Sequence, residues 1–234
     1  MINGIKIEIC IGNVEDALIA SKYPIDRIEL NSALELGGMT PSLETLKAVK
    51  ANCDTPICSM VRPRGGDFIY NELEFETMLK DAKNLLEAGS DGIVFGFTNP
   101  DHTIDIGRTK KMVELIHSYK KEAVFHKAFD VLDDQKKGIE ILIDCGIDRI
   151  LTSGKAEYPD ILEGCKRINE LHNVYGDKIQ LLPGGGVRVH NIKDVVTTCK
   201  TCQVHMTSKM QHPGNYLMLD TKQLEELLDQ LREL

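Results

Sequence analysis

The chain has 234 residues and is 42% apolar, enough to bury one full barrel core or two small ones. Its formal net charge of −8, with lysine and arginine dispersed, argues against the clustered cationic surface that grips a phosphate backbone, so no nucleic acid partner is expected. The N-terminus lacks a charged segment followed by a long apolar run, and no later stretch approaches membrane-spanning length; a cytoplasmic protein with no membrane partner is expected. Seven scattered cysteines cannot all pair and match no small disulfide framework, so most should be reduced thiols.

Short β-like runs alternate with helix-period segments along the chain. The strand candidates are Ile5–Cys10, Arg27–Asn31, Pro56–Arg62, Gly92–Phe97, Ala123–Ala128, Arg149–Ser153, Ile179–Pro183 and Gln203–Thr207. Helical patterns fall near Val14–Lys22, Ser42–Asn52, Glu72–Ala88, Ile106–Tyr119, Asp134–Cys145, Pro159–Asn173, Ile192–Cys199 and Thr221–Leu234. Eight strand–helix units predict a parallel sheet closed into a single α/β barrel of the (β/α)₈, TIM-like class, one domain over residues 1–234. An open doubly wound sheet is the alternative, but glycines spaced G-x-G-x-x-G after the first strand are absent. Asn71 with Glu74 reads as a capping box, Thr40-Pro41 as a helix start with proline at the first position, and Gly89 and Gly146 as stops. Leu224, Leu227, Leu228, Leu231 and Leu234 form one apolar stripe on the last helix.

In a barrel, alternate strand residues face the helices and the others face the axis. Ile5, Ile7 and Ile9 oppose Lys6, Glu8 and Cys10, and Ile28 and Leu30 oppose Arg27, Glu29 and Asn31. Extending the pattern gathers Glu8, Cys10, Glu29, Asn31, Met60, Arg62, His126 and His205 inside, near the C-terminal rim. A barrel built for stability alone would fill such layers with branched aliphatics, because an unpartnered buried charge costs about several kcal/mol. Glu8, Glu29 and His126 are the acid/base candidates, with Arg62 steadying a substrate anion or an enolate-like charge. The competing reading is a satisfied ion network with no chemistry. Lys127 is placed by alternation on the outer face, away from any Schiff-base role.

The run Met60-Val61-Arg62-Pro63-Arg64-Gly65-Gly66-Asp67-Phe68 reads as a rigid loop at a strand end, with Arg62 and Arg64 presenting planar donor forks to a carboxylate or phosphate. Local pairing of both arginines with nearby acids is the bland alternative. Gly184-Gly185-Gly186 after the seventh strand, Ser153 after the sixth and Ser208 after the eighth are further candidates for an anion site. Cys10, Met60 and His205 form a candidate soft set for Cu(I), and Cys199-Lys-Thr-Cys202 has metal-ligand spacing that ordinary packing explains equally well.

The runs Glu8-Ile-Cys10, Arg27-Ile-Glu-Leu30, Gly37-Gly-Met-Thr-Pro-Ser42, Arg62-Pro-Arg-Gly-Gly-Asp-Phe68, Phe125-His-Lys-Ala-Phe-Asp130, Leu151-Thr-Ser-Gly154 and Pro183-Gly-Gly-Gly-Val187 closely resemble the CutC family, in the same order from about the first strand to the eighth. The resemblance implies a cytoplasmic TIM-like barrel that forms homo-oligomers, is named for copper homeostasis and binds Cu(I) through cysteine. Family members commonly carry a second cysteine where this chain has Asn31, and an arginine where it has Lys127. Two functions are therefore expected in competition: a Cu(I)-binding homeostasis protein, or a barrel enzyme of the isomerase, epimerase or lyase type acting on a small anionic or phosphorylated metabolite.

Overall fold

A computed structural model describes residues 1–155 and 161–234. Eight parallel strands make one sheet: β1 (Lys6–Ile11), β2 (Arg27–Leu30), β3 (Ile57–Met60), β4 (Gly92–Phe95), β5 (Glu122–Phe125), β6 (Arg149–Thr152), β7 (Gln180–Pro183) and β8 (Gln203–Met206). The ladder runs β7-β6-β5-β4-β3-β2-β1-β8, so β1 pairs with both β2 and β8. At the remaining seam the Gln203 side-chain amide donates to the Leu181 carbonyl at 3.1 Å. This is the (β/α)₈ barrel that the alternating pattern predicts.

Helices α1 (Val14–Ala20), α2 (Leu43–Asn52), α3 (Glu72–Glu87), α4 (Ile106–Ser118), α5 (Gln135–Cys145), α6 (Leu162–Tyr175), α7 (Ile192–Cys199) and α8 (Thr221–Arg232) complete the units. The expected start of the sixth helix at Pro159 lies outside the described residues. Among the described residues no helix is long and apolar enough to cross a membrane. The main core lies between sheet and helices: Ile7, Ile9, Ile28, Leu30 and Phe125 are fully buried there, which is where alternation puts them. A smaller apolar plug of Cys58, Met60, Val94 and Val124 fills the axis.

Local chemistry fixes several boundaries. Asn71 and Glu74 form the expected capping box, and Gly146 ends α5 in a left-handed conformation at φ 85°. The α2 start differs from expectation: the Ser42 hydroxyl accepts from the Thr45 N–H, so Pro41 precedes the cap instead of opening the helix. Leu224, Leu227, Leu228 and Leu231 are buried as the stripe requires, whereas Leu234 is exposed beyond the end of α8. The segment after β8 forms a hairpin, β9 (Lys209–Gln211) with β10 (Leu217–Leu219), which strand-period reading did not separate from its loop. All seven cysteines are free thiols.

Candidate functional site

β3 and β5 stop earlier than the sequence pattern suggests, at Met60 and Phe125. Arg62 and His126 therefore stand just past the ladder, at the carboxyl ends of their strands. The Arg62 backbone is clamped by Thr40, whose N–H donates to the Arg62 carbonyl and whose hydroxyl accepts from the Arg62 N–H. His126 is followed by a 3₁₀ turn, Lys127–Val131, and its Nδ1 accepts from the Ala128 N–H at 3.1 Å. Next to them, the β1–β2 register sets Cys10 beside Glu29 and the β1–β8 register sets Glu8 beside His205.

These strand ends surround a cavity of about 360 Å³, whose wall includes Cys10, Glu29, Asn31, Met60, Arg62, His126 and His205. Four buried polar atoms of residues on that wall have no hydrogen-bond partner among the described residues: Glu29 Oε1, Asn31 Oδ1, Arg62 Nε and His126 Nε2. Such atoms are rare in folded proteins, since each forfeits about 1–3 kcal/mol of solvation. Two are acceptors and two are donors.

Arg62 is 8% exposed and has no carboxylate partner among the described residues. Its Nη1 donates to the Gly37 and Gly38 carbonyls at 3.2 and 3.4 Å, and its Nη2 to the Gly66 carbonyl at 2.8 Å, while Phe68 lies 5.1 Å beneath the guanidinium. Carbonyl dipoles fix this cation without neutralising it. His126 packs 4.8 Å from the same Phe68 ring. Burial, with Arg62 and Lys127 adding to it, drives the His126 pKa down to about 3, so the imidazole is neutral. Because Nδ1 accepts a hydrogen bond, the proton of the neutral ring is assigned to Nε2.

On the opposite wall, Glu29 Oε2 accepts from Asn31 Nδ2 at 2.8 Å, and the same amide donates to Cys10 Sγ at 3.3 Å. Burial and the negative charges of Glu29 and Glu8 hold the Cys10 pKa well above that of an ordinary thiol. Ligand atoms of Cys10, Glu29 and His205 lie within 4.8 Å of one another.

Glu8 does not reach the cavity wall. It lies one layer lower, where its Oε2 accepts from Arg27 Nε at 2.7 Å and Arg149 Nη2 at 3.4 Å and its Oε1 meets His205 Nδ1 at 2.8 Å. Arg149 is fully buried and grips Glu122 with one nitrogen at 2.8 and 3.0 Å, and Arg27 also reaches Gln203 Oε1 at 3.0 Å. Burial would raise the Glu8 pKa, but Arg149, His205 and Arg27 outweigh it and hold it well below the carboxylate range. For His205 burial pulls down, whereas Glu29 and Glu8 push harder and leave it raised.

Several sequence candidates fall elsewhere. Arg64 turns outward, bound to Glu74 at 2.7 Å and Asp67 at 3.0 Å, so the local pairing foreseen for both arginines describes this one alone. Ser153 donates from its hydroxyl and N–H to Asp130, and the Ser208 hydroxyl donates to the Asp220 carbonyl. Gly184 is packed under Leu151 and His205, whereas Gly185 and Gly186 do line the cavity. Cys199 is buried and Cys202 exposed, which does not make a shared metal site of the C-x-x-C pair. Lys127 was expected on the outer face, but the 3₁₀ turn breaks the alternation and swings the lysine over the mouth, where it lines the cavity.

The CutC family model matches residues 5–210. The chain belongs to the CutC family. A CutC family protein of Treponema denticola is 43% identical over 204 residues, covering 87% of this chain and 81% of the relative. One from Glaesserella parasuis is 38% identical over 206 residues, 88% and 83% of the two chains. The solved CutC structure from Streptococcus agalactiae, named for copper homeostasis, superposes with a TM-score of 0.81 at 33% identity, covering 86% of this chain and 98% of that one. Phosphoribosylanthranilate isomerase from Thermotoga maritima, at 16% identity and a TM-score of 0.62 over 98% of this chain and all of its own, shares the barrel fold alone.

Proposed function

We propose that this CutC protein is a barrel enzyme that binds a small anionic metabolite at the strand ends and moves a proton on it, in the manner of an isomerase, epimerase or lyase. The observation that carries the reading is the set of four unpartnered buried atoms, two donors and two acceptors, on residues that line one cavity. Other buried atoms, Arg149 Nε among them, are also open, but these four belong to residues that share one cavity wall. Arg62, which lines the cavity and has no carboxylate partner among the described residues, clamps the anion. Glu29, with Oε1 unengaged and Oε2 oriented by Asn31, takes the proton. His126 Nε2–H steadies the oxyanion that develops; a neutral imidazole donates without a formal charge to be compensated. Glu8, locked as a carboxylate by two arginines, orients His205 rather than exchanging protons. In this reading the protein acts as one barrel domain in the cytoplasm, and the self-association that the family resemblance implies is a separate property.

The test is deuterium wash-in. Incubated in D₂O with a panel of small hydroxy- and keto-acids and their phosphate esters, the native protein exchanges a carbon-bound hydrogen of at least one member, read by proton NMR, and Glu29→Gln does not. Exchange that persists in Glu29→Gln removes Glu29 as the base; no exchange with any member removes the enzyme reading.

A second reading, Cu(I) binding, is favoured by the proximity of Cys10, Glu29 and His205, with Met60 on the same wall. The donors fit a dedicated Cu(I) centre poorly. One sulfur that holds its proton firmly stands with a hard carboxylate, and an amide donates to that sulfur from the position where a second thiolate would complete the pair. A Cu(I) titration under reducing conditions decides: affinity unchanged in Cys10→Ser eliminates the thiolate site.

A further inference from the structure

We infer that the anion is a phosphate group and that it docks on the β5–β7 side of the mouth, on Lys127 and the backbone amides of Gly185 and Gly186. The inference rests on the small-anion reading of this cavity and specifies its ligand as a phosphomonoester.

The turn after β7 can serve as an anion cradle. Gly185 and Gly186 have φ of 89° and 96°, the positive-φ backbone found in turns that hold anions with successive N–H groups, and both line the cavity. Among the described residues, the N–H groups of Gly185, Gly186 and Val187 donate to nothing, whereas the Gly184 N–H is used by the Thr152 carbonyl at 2.9 Å. Asn191 braces the turn from behind: its Nδ2 donates to the Gly186 carbonyl at 3.0 Å and its Oδ1 accepts from the Arg188 N–H at 2.8 Å. The cradle is thus set before a ligand arrives.

Charge is set beside it. A Cβ on Gly185 would lie 2.7 Å from Lys127 Nζ, so the ammonium rests directly over the turn, and Lys127 has no ion-pair partner among the described residues. Among the described residues, the cavity wall carries Arg62, Lys127 and Lys209 with Glu29 as its one carboxylate. Arg62, more than nine-tenths buried, adds an unpartnered donor from just past the end of β3.

The arrangement suits phosphate better than carboxylate. A carboxylate is planar and its needs are met by one arginine fork. A phosphomonoester carries a charge near −2 and three acceptor oxygens pointing in three directions, which calls for donors converging from several elements and a point charge such as lysine. With the phosphate at β5–β7, the opposite wall of Glu29, Asn31, Cys10 and His205 is left for the carbon end. The substrate class is therefore a phosphorylated small hydroxy, keto or acid compound.

Calorimetric titration with glycerol 3-phosphate and with glycerate, its carboxylate counterpart, tests the inference. Glycerol 3-phosphate should bind the native protein more tightly than glycerate does, and Lys127→Gln should weaken it by about tenfold or more, as for loss of a charged hydrogen bond. Lys127→Arg should stay within about threefold of the native protein because the charge is kept. The surface substitution Lys80→Gln should change neither. Gly185→Ala, strained at its positive φ and crowding Lys127, should repeat the loss by a second route. Equal affinity of the native protein and Lys127→Gln, or a preference for glycerate, overturns the phosphate assignment. If glycerate binds and is lost in Arg62→Gln while glycerol 3-phosphate ignores Lys127, the small-anion reading survives without it; if neither probe binds, both fall.

Discussion

The lower layer of the barrel interior and its mouth both bury carboxylate, arginine and histidine, and treat them differently. In the floor, Glu8 and Glu122 are shared by Arg27, Arg149 and His205 at 2.7–3.4 Å, and Gln203 closes the ring onto the Leu181 carbonyl. One layer up, Glu29 and Arg62 do not meet, and each keeps an atom without a partner. The difference teaches that buried charge by itself says little about function. Among the described residues, the floor leaves Arg149 Nε alone without a partner but pairs every charge in it, whereas Arg62 has no carboxylate partner and lies on a cavity wall, where it is available to a ligand.

The comparison breaks most visibly in the floor. Removing the Glu8 charge by Glu8→Gln strands Arg27 and Arg149 and should cost about 3–5 kcal/mol, read as a drop in urea midpoint at unchanged slope. If Glu29→Gln costs more than Glu8→Gln, the two layers have been assigned the wrong way round.

Acid stability sharpens the account of His126. With a native pKa of about 3 against an ordinary 6.5, the unfolded chain binds the extra proton first, so stability present above pH 6.5 is lost as pH falls toward 3. Between pH 7 and pH 4 this group alone should remove on the order of 3 kcal/mol. Glu8, also depressed, contributes loss in the same direction at lower pH, while His205, raised, acts oppositely by adding stability as pH drops through its own range. His126→Gln should flatten the acid limb by that His126 share; a limb of unchanged slope would mean that the imidazole is protonated in the native state.

In the mouth the expected signature is binding lost without stability lost. Arg62→Gln should weaken an anionic ligand by about 1.5–3 kcal/mol, the worth of a charged hydrogen bond. Denaturant melts should shift less in Arg62→Gln than in Glu8→Gln, and the reverse order would make Arg62 part of the scaffold. Smallest of all is Arg64→Ala: its pairs with Asp67 and Glu74 are partly exposed, so about 0–1 kcal/mol of stability and no change in ligand affinity should follow.

Much of this geometry was legible in the residues. Period-two alternation in Ile5–Cys10 and Arg27–Asn31 gave the inward set of the first two strands, and the strand–helix count gave the barrel. What alternation missed has physical causes. It fails at the point where a strand stops being a strand, so Lys127 was sent outward although the turn after Phe125 carries it over the mouth. It does not separate one layer from the next, which is why Glu8 was grouped with Glu29. Arg149 carries a usable signal, an arginine alternating with Ile150 in a short buried strand. Arg64, Ser153 and Ser208 looked available because their partners, Glu74, Asp130 and Asp220, lie 10 to 23 residues away in sequence.

The most direct test of the central claim is thermal melting of the native protein and Arg62→Gln, side by side, against phosphorylated and carboxylate small metabolites. The open atoms of the mouth predict that at least one anion raises the native melting temperature and leaves that of Arg62→Gln where it was. No stabilisation by any anion, or an equal rise in both proteins, would contradict the account.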